Sequence, residues 1–307
     1  MLELVTQRPE ATLRLAAHAA ANRKFRARDI SVAPHNEIPV VWKDLNDYFQ
    51  SLGKKMRSNV SRQARRLFRS GETELILAEG GQAVTAWFDA YCDLERRSWK
   101  YGTPSSMQRH PRRVRYYREI VAGRAGLDPE FIGVVLDGVL IAGLLVGSNA
   151  SASPGFHGAW CLETAYDQSR ADLGPGQLLL LLAVGRAIDK GHKNLSFMQN
   201  FAYFKHRWAA EPIEVVNVQL IRRLSRHNFF ASLGELKRKW PGRQQDADIV
   251  TTDGSDAPEQ TRNAAALSET DQVRARGLVS AAIARSGAGI RRLDRVKASA
   301  YLPFDLE

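Results

Sequence analysis

The sequence predicts an α/β fold, in which the strands of a sheet are flanked by helices. Asp137-Gly138 stands between two apolar runs of strand length, which is the sequence pattern of a β-hairpin. Before this hairpin, apolar residues recur at the spacing of amphipathic helices. After it, Gly174-Pro175-Gly176 opens a long apolar helix that leads into another strand. Strands and helices therefore alternate through most of the chain.

The composition excludes several classes of protein. A chain of 307 residues can form one large domain or two smaller ones, and its 44% hydrophobic content is ordinary for a globular protein. The longest apolar run, Leu178–Val184, is too short to span a bilayer, and the N-terminus lacks the apolar core of a signal peptide. We therefore expect a cytoplasmic protein without a transmembrane segment. Two cysteines, Cys92 and Cys161, do not make a disulfide framework or a cysteine zinc site.

The excess of positive charge predicts an anionic partner. The formal net charge is +11 and the pI is about 9.9. Nucleic acid, acidic lipid, a charged glycan and a nucleotide cofactor all satisfy this balance, which does not choose among them. The histidines are scattered without the spacing of a metal site, so we expect no metal.

A basic helix is predicted near the start of the regular pattern. Residues 1–40 are mixed in composition, and we interpret them as an N-terminal segment rather than a complete domain. In Lys54–Arg69 the apolar residues, such as Val60 and Ala64, recur at helical spacing, while cations fill the remaining positions without one acid. Such a helix can bind RNA, anionic lipid or a glycan, although a solvated helix with one buried stripe has the same pattern.

Further strands and helices follow up to residue 240. Residues 84–99 and 114–121 have the pattern of amphipathic helices, and Gly191 ends a predicted helix that begins at Gly176. The predicted strands are Glu74–Ala78, Phe131–Leu136, Val139–Val146, Phe156–Leu162, Asn194–Met198 and Val215–Leu220. We assign residues 41–240 to one domain on this basis.

The composition shifts after Trp240. Residues 241–270 are rich in small polar residues and contain few large apolar ones, which is typical of a disordered linker. We interpret residues 241–307 as a mostly disordered C-terminal extension with one short helix near Val273–Ala284.

The turn Asp172–Gln177 is the strongest candidate for a ligand site. Glycine lets the backbone approach a ligand closely, and the N–H groups of a helix's first turn, together with its dipole, favour an anion. Gly174 and Gly176 flank Pro175 here, so a diphosphate fits the turn without any basic side chain. A plain strand-to-helix turn with proline at the helix start has the same sequence.

Several short motifs lie in order between Trp42 and Arg223. They are Leu52–Asn59 continuing to Arg65-Arg66-Leu67, Arg97–Lys100, Gly138–Gly143, Tyr166-Asp167, Pro175-Gly176 and Lys205–Trp208. The order of strands, turn and helix resembles the cofactor-binding half of the GNAT acetyltransferase superfamily. Within it, the motifs are similar to those of the cellulose-biosynthesis-associated acetyltransferases of the CelD/BcsL type, whose domain is also called BioF2-like.

The resemblance implies a fold and a cofactor. The fold is a mixed, mostly antiparallel twisted sheet flanked by helices. The co-substrate is acetyl-CoA, or another acyl-CoA, whose pyrophosphate is held by the turn before the central helix. In this chain the cofactor-binding residues would be Gly174, Pro175, Gly176, Gln177 and Leu178. The superfamily signature expects Gln or Arg where this chain has Ala171.

The resemblance also implies a reaction. An acceptor attacks the bound thioester directly, without a covalent enzyme intermediate, and acceptors are saccharides or envelope-polysaccharide precursors. Tyr203 would protonate the leaving thiolate, and Asp167, or alternatively Glu163, would act as general base. The substrate-binding residues would be Arg62, Trp99, Lys205 and Arg207.

The chain departs from its relatives in two respects. Relatives read Asp-Phe-Leu-x-Gly before Tyr-Lys, whereas this chain has Ser196–Asn200 and Phe204-Lys205. Family members also commonly carry a second, N-terminal acetyltransferase-like half. Residues 1–40 would be the remnant of that half, or a homodimer or another partner chain would supply it.

Two other functions fit the same sequence. A related Fem-like transferase would use aminoacyl-tRNA instead of acyl-CoA, and the basic helix Lys54–Arg69 would then grip the tRNA. A catalytically degenerate GNAT-fold binding module would bind a ligand without turnover, because the Asp and Tyr expected near Ser196 and Phe204 are absent.

Overall fold

A computed structural model of the chain describes the residues 2–7, 17–19, 25–31, 34–149, 158–198, 207–222 and 268–306. The chain divides into two compact units. The first unit comprises residues 1–36, 199–205 and 211–256, and the second comprises residues 37–198, 206–210 and 257–307.

The first unit is built on an antiparallel sheet of three strands. These are β1 (Leu2–Gln7), β2 (Phe25–Ser31) and β10 (Val216–Arg222), with β10 in the middle. Val218 on the central strand is fully buried, as a residue with a strand on either side should be. The predicted strand Val215–Leu220 is confirmed, whereas the sequence did not predict the two N-terminal strands that pair with it. A short strand, β9 (Glu211–Ile213), precedes β10.

The second unit alternates helices with the strands of a larger sheet. Its helices are α1 (Leu45–Ser51), α2 (Lys54–Arg69), α3 (Gly80–Arg97), α4 (Pro111–Val121), α5 (Pro175–Asp189), α6 (Glu269–Arg285) and α7 (Arg295–Tyr301). Its strands are β3 (His35–Pro39), β4 (Thr73–Glu79), β5 (Asp128–Leu136), β6 (Val139–Ser148), β7 (Gly158–Tyr166), β8 (Asn194–Ser196) and β11 (Ile290–Leu293).

These strands lie in the order β11-β4-β5-β6-β7-β8-β3. Neighbouring strands are antiparallel throughout, with one parallel exception, the pair β7–β8. Parallel neighbours need a crossover connection, and α5 supplies it between β7 and β8. The predicted α/β fold with a mixed, mostly antiparallel sheet is confirmed.

Helices cover both faces of this sheet. On β4, Leu75 and Leu77 point into a core shared with α2 and α5, whereas Ile76 and Ala78 point into a core shared with α3. Alternate residues of a strand face opposite sides, so each strand contributes side chains to both cores. This burial on two sides explains why β5 and β6 are apolar runs without alternation.

The hairpin between β5 and β6 turns at Asp137-Gly138, as predicted. Both residues have positive φ, +51° and +77°, which is the backbone of the two-residue hairpin turn that favours this dipeptide. The Asp137 carboxylate also accepts a hydrogen bond from the Glu72 backbone N–H at 2.9 Å. The next strand, β7, extends beyond the predicted end at Leu162, because its pairing with β6 continues to Tyr166, while Phe156 and His157 lie outside the described residues.

The C-terminal residues differ from the sequence-based interpretation. A mostly disordered extension with one short helix was expected, yet residues 268–306 contain α6, β11 and α7. β11 pairs with β4 from Ile290↔Ala78 to Leu293↔Leu75, and Leu302 and Leu306 are buried. A strand of four residues acquires its hydrogen bonds only from its neighbour, so its own sequence is a weak signal. No helix in the described ranges is long and apolar enough to cross a membrane.

Candidate functional site

The parallel strands β7 and β8 separate after three residue pairs. The pairing runs from Gly158↔Asn194 to Trp160↔Ser196, and β7 then continues to Tyr166 while β8 ends. From residue 161 onward β7 remains hydrogen-bonded to β6 on its other side. A strand edge that loses its neighbour presents backbone N–H and C=O groups to a ligand. Among the described residues, the C-terminal half of β7 therefore has no strand paired on the side of β8.

A turn with a left-handed residue leads from this strand into α5. Residues Gln168–Leu173 form a short 3-10 helix, and Gly174 follows with φ +63°. Pro175 is the first residue of α5, which has no side-chain cap. Gly176 lies against the Tyr166 ring, which an added Cβ would meet at 3.4 Å. The first turn of α5 thus presents backbone N–H groups and its dipole at the end of β7.

The basic helix α2 packs beside this turn. Asn59 Nδ2 donates to Gln177 Oε1 at 3.3 Å, and Arg62 Nη2 donates to Asn59 Oδ1 at 2.8 Å. Arg66 Nη2 is 2.6 Å from Asp172 Oδ2. Asn59, Arg62 and Arg66 are three to seven residues apart, so one face of the helix carries them all.

Gln63 completes this face of α2. Its carboxamide lies against Gly174 so closely that a Cβ at that position would overlap it. Gln63 Oε1 is buried and has no hydrogen-bond partner among the residues that the structure describes. Buried polar atoms are nearly always paired, so this oxygen marks a place where a ligand's O–H or N–H group can bind.

The Asp167 carboxylate is fully engaged at the start of the turn. It is paired with Arg97, and its Oδ1 accepts from the Ser169 backbone N–H at 3.0 Å and hydroxyl at 2.7 Å. Arg97 Nη2 also donates to the Leu140 carbonyl at 3.0 Å. These contacts fix the Asp167 side chain at the start of the turn.

Glu163 lies in the C-terminal half of β7 and is buried among charged and phenolic groups. β7 has a bulge at this point, since Leu145 pairs with Glu163 but the next residue, Val146, pairs with Cys161. The Glu163 carboxylate is paired with Lys100 and lies 2.7 Å from Arg113 Nη2. Lys100 is only 8% exposed and Glu163 only 4%. Sequence reasoning named Glu163 but could not find these cations, which are 63 and 50 residues away.

Two tyrosines border the Glu163 carboxylate. Burial, and then the charge of Glu163, raise the pKa of Tyr91 well above its usual value, and the same two causes raise that of Tyr117. Tyr117 Oη donates to the Leu162 carbonyl at 3.5 Å, while Tyr91 Oη is buried and has no hydrogen-bond partner within the described part of the chain. Both phenols therefore stay protonated at neutral pH and can serve only as neutral hydrogen-bond donors or acceptors.

The structure describes some of the predicted site residues and not others. Trp99 is 46% exposed, next to Ser98, which forms a β-bridge with Asp167 at the end of β7. Arg207 is exposed and precedes the buried Trp208. Tyr203 and Lys205 lie outside the described residues, as do Asn200 and Phe204. Their roles remain predictions.

A cavity also lies in another part of the second unit. It has a volume of about 700 Å³ and lies between α3, α4 and α6, with Asp89, Arg118 and Arg124 in its wall. Arg118 is paired with Asp89 and Arg124 with Glu119, so these cations are already neutralised. Within the described ranges no cluster of acids, histidines or cysteines could hold a metal ion.

Comparison with known proteins identifies the region that contains the turn. The family model described as an acetyltransferase (GNAT) domain matches residues 54–206, from the start of α2 to beyond β8. No curated protein matches the chain.

Several solved structures are similar at low sequence identity. The C-terminal DUF2156 domain of a protein assigned as a lysylphosphatidylglycerol synthetase, from Agrobacterium fabrum, has a TM-score of 0.48 and 11% identity, over 76% of this chain and 71% of that one. A conserved protein of unknown function from Bacteroides thetaiotaomicron has a TM-score of 0.42 and 14% identity, over 69% and 67%. FemX has a TM-score of 0.36 and 11% identity, over 74% and 72%. Similarities at this level say nothing of a substrate.

Proposed function

We propose that the chain is an acyltransferase of the GNAT superfamily, because the acetyltransferase (GNAT) domain model matches residues 54–206, and that it transfers an acetyl group from acetyl-CoA directly to a saccharide or envelope-polysaccharide precursor. The CelD/BcsL type, inferred from the motifs, supports this acceptor class. One structural observation supports the assignment of acetyl-CoA as the acyl donor. The parallel pair β7–β8 separates after Trp160↔Ser196, and the connection between the two strands begins with the Gly174 turn.

This arrangement suits an acyl-CoA in two ways. A long amide-containing arm can form hydrogen bonds with the unpaired edge of β7, as an added strand would. A diphosphate can bind the N–H groups at the start of α5, where no side chain caps the helix. The unpaired Gln63 Oε1 at the same turn can accept from a hydroxyl or amide of the ligand. The residues present therefore fit this donor.

Acetyl transfer requires two proton movements, and the chain offers a group for each. Bound acyl-CoA supplies a thioester carbonyl, to which the acceptor oxygen or nitrogen bonds as the carbon–sulfur bond breaks. We propose that Tyr203 gives a proton to the departing thiolate. We propose Glu163, rather than the anchored Asp167, as the carboxylate nearest the acceptor, because it lies in the C-terminal half of β7. Its two cations hold the side chain in position.

The acceptor side is assigned to exposed residues. Trp99 follows the β-bridge at the end of β7, and an exposed indole offers a saccharide a flat apolar surface with one N–H donor. Lys205 and Arg207 follow β8 in sequence and would bind an acidic group on the acceptor. These three assignments are proposals from the sequence.

Isothermal titration calorimetry with acetyl-CoA tests the donor assignment. We expect saturable binding, together with a thermal stabilisation that grows with ligand concentration and corresponds to about 2.7 kcal/mol at a hundredfold excess over Kd. The absence of heat at millimolar acetyl-CoA would contradict the proposal and favour a degenerate binding module. Salt-sensitive tRNA binding without any response to acetyl-CoA would instead favour the Fem-like transferase.

The role of Tyr203 requires a rate measurement once an acceptor is found. Release of the CoA thiol can be followed with a panel of saccharides, beginning with neutral and acidic oligosaccharides. We expect Tyr203→Phe to lower kcat about a hundredfold without a comparable change in acetyl-CoA affinity. Tyr116→Phe is the matched control, because Tyr116 is 60% exposed on α4. Equal rates in the two variants would remove Tyr203 from the mechanism.

A further inference from the structure

We propose that α2 forms the second wall of the donor site and that its Arg62 binds a phosphate of the acyl-CoA. This inference rests on the proposed function and assigns the basic helix to it. The Gly174 turn contributes backbone N–H groups but no side-chain cap and no acid in the first turn of α5. The preceding 3-10 helix carries one cation, Arg170, and α2, which packs beside the turn, carries several more.

Direct hydrogen bonds connect α2 to the turn. Arg62 donates to Asn59, and Asn59 donates in turn to Gln177 in the first turn of α5. Two hydrogen bonds in series, through Asn59, therefore connect Arg62 to the start of α5, where the phosphate would bind. The Gln63 carboxamide covers Gly174 one residue farther along α2. Asn59 and Gln63 therefore contact the turn directly, and Arg62 lies against Asn59 on the same face of α2.

The charges at the turn leave Arg62 available for an anion. α2 contains no acid between Lys54 and Arg69, so it brings no internal partner. Asp172 is the acid of the turn, and Arg66 already pairs with it at 2.6 Å. Arg62, by contrast, donates to the neutral amide oxygen of Asn59. A phosphate would replace this weak partner with a charge-assisted hydrogen bond.

The position of α2 also compensates for the lack of a polar side chain at position 171 in the turn. Ala171, on the 3-10 helix before Gly174, has no polar side chain that could contact a bound phosphate. Asn59 and Arg66 of α2, more than a hundred residues earlier in the chain, instead contact Gln177 and Asp172 of the turn. We infer that α2 provides the donor specificity that the turn alone lacks.

Calorimetric titration of three proteins with two ligands tests the proposal. The proteins are the wild type, Arg62→Gln and the control Lys54→Gln, which removes an exposed cation at the far end of α2, about 12 Å away. The ligands are acetyl-CoA and its 3′-dephospho form. We expect Arg62→Gln to weaken acetyl-CoA binding by about tenfold or more, and Lys54→Gln to leave Kd within about twofold.

The two ligands identify the phosphate that Arg62 binds. If Arg62 contacts the 3′-phosphate, its substitution weakens acetyl-CoA but not the 3′-dephospho form, whereas a contact to the pyrophosphate weakens both. Either result supports the proposal, provided that the dependence of Kd on salt becomes shallower in Arg62→Gln. Unchanged affinity for both ligands would overturn it, as would a loss with an unchanged salt dependence, which indicates structural loosening. Wild-type protein that binds neither ligand would instead refute the proposed function.

Discussion

At the scale of single residues, the Glu163 cluster shows how the fold creates an environment that no local sequence pattern contains. Glu163 lies on β7, Lys100 on a short 3-10 helix (Trp99–Gly102) and Arg113 on α4, and the three meet on one side of the sheet. A buried carboxylate with two cations is strongly dependent on both, because removing one partner leaves a buried charge with less compensation. The cluster is consequently a sensitive place for substitution.

We expect Lys100→Met to lower the free energy of unfolding by about 3 kcal/mol, because Glu163 would keep only the partly exposed Arg113. The double substitution Lys100→Met with Glu163→Gln should recover part of that loss, since it removes both charges. Urea denaturation measures each value. Arg118→Met is the control, because its pair with Asp89 is about half exposed, and it should cost about 1 kcal/mol or less. Equal costs for Lys100→Met and Arg118→Met would contradict the buried cluster.

Gly174 and Gly191 provide a matched pair at the two ends of α5. Both have positive φ, +63° and +66°, so alanine at either position should cost about 1–2 kcal/mol in backbone strain. A Cβ at Gly174 would also displace the Gln63 carboxamide, whereas a Cβ at Gly191 meets nothing within 4 Å. We therefore expect similar stability losses in denaturation but weaker acetyl-CoA binding only in Gly174→Ala. Equal binding in both variants would show that Gln63 does not act at the donor site.

The two cysteines should differ in reactivity. Burial raises the pKa of Cys92 to about 12, and the thiolate is the form that reacts with alkylating agents. Because this pKa lies far above 8, almost none of the Cys92 thiol is ionised at pH 8, while Cys161 on β7 is partly exposed. Mass spectrometry after brief treatment with iodoacetamide at pH 8 should find Cys161 modified first. Faster modification of Cys92 would contradict its burial.

At the scale of elements, local signals in the sequence predicted what local forces determine. The Asp137-Gly138 hairpin follows from a turn that needs two residues with positive φ, and α2 and α3 follow from apolar spacing. The sequence did not predict the position of α2 beside α5, because packing between elements depends on the whole fold. The face of α2 that carries Asn59, Arg62 and Gln63 was visible in the helical spacing, but the turn that it contacts was not.

β11 marks the limit of sequence-based prediction in this chain. Its four residues, Ile290 to Leu293, contain two arginines and lie after a polar stretch that is typical of a linker. The strand is specified by pairing with β4 and by Leu293, which is only 6% exposed in the core shared with α2 and α5. Information of this kind is not contained in the segment itself.

The contribution of β11 to the fold can be measured. Leu293→Ala should lower the free energy of unfolding by about 2–4 kcal/mol, because it removes buried methyl groups from the core. Arg291→Ala, which removes an exposed side chain of the same strand, should change it by about 0.5 kcal/mol or less. Chemical denaturation of both variants gives the comparison. A Leu293→Ala variant as stable as Arg291→Ala would show that β11 is not integral to the sheet in solution.

At the scale of the whole molecule, the sequence predicted an anionic partner but not which one. A net charge of +11 attracts every polyanion, because charge attraction at a distance is not directional. The structure shows a defined arrangement of charge where the cations of α2 lie beside the N-terminus of α5. That juxtaposition favours a small ligand with a few phosphates in a fixed arrangement over a long polyanion.

The two kinds of anion should therefore respond differently to salt. Contacts spread over many phosphates release many counterions, so tRNA and heparin affinities should fall by about a thousandfold between 50 and 200 mM salt. Acetyl-CoA carries few charges, and the N–H groups of α5 and the edge of β7 also contribute to its binding, so its Kd should rise far less. Fluorescence anisotropy with labelled tRNA and heparin, alongside calorimetry with acetyl-CoA, makes the comparison. If tRNA still binds at 200 mM salt, heparin does not, and acetyl-CoA gives no heat, the basic helix serves an aminoacyl-tRNA donor and the acetyl-CoA assignment is wrong.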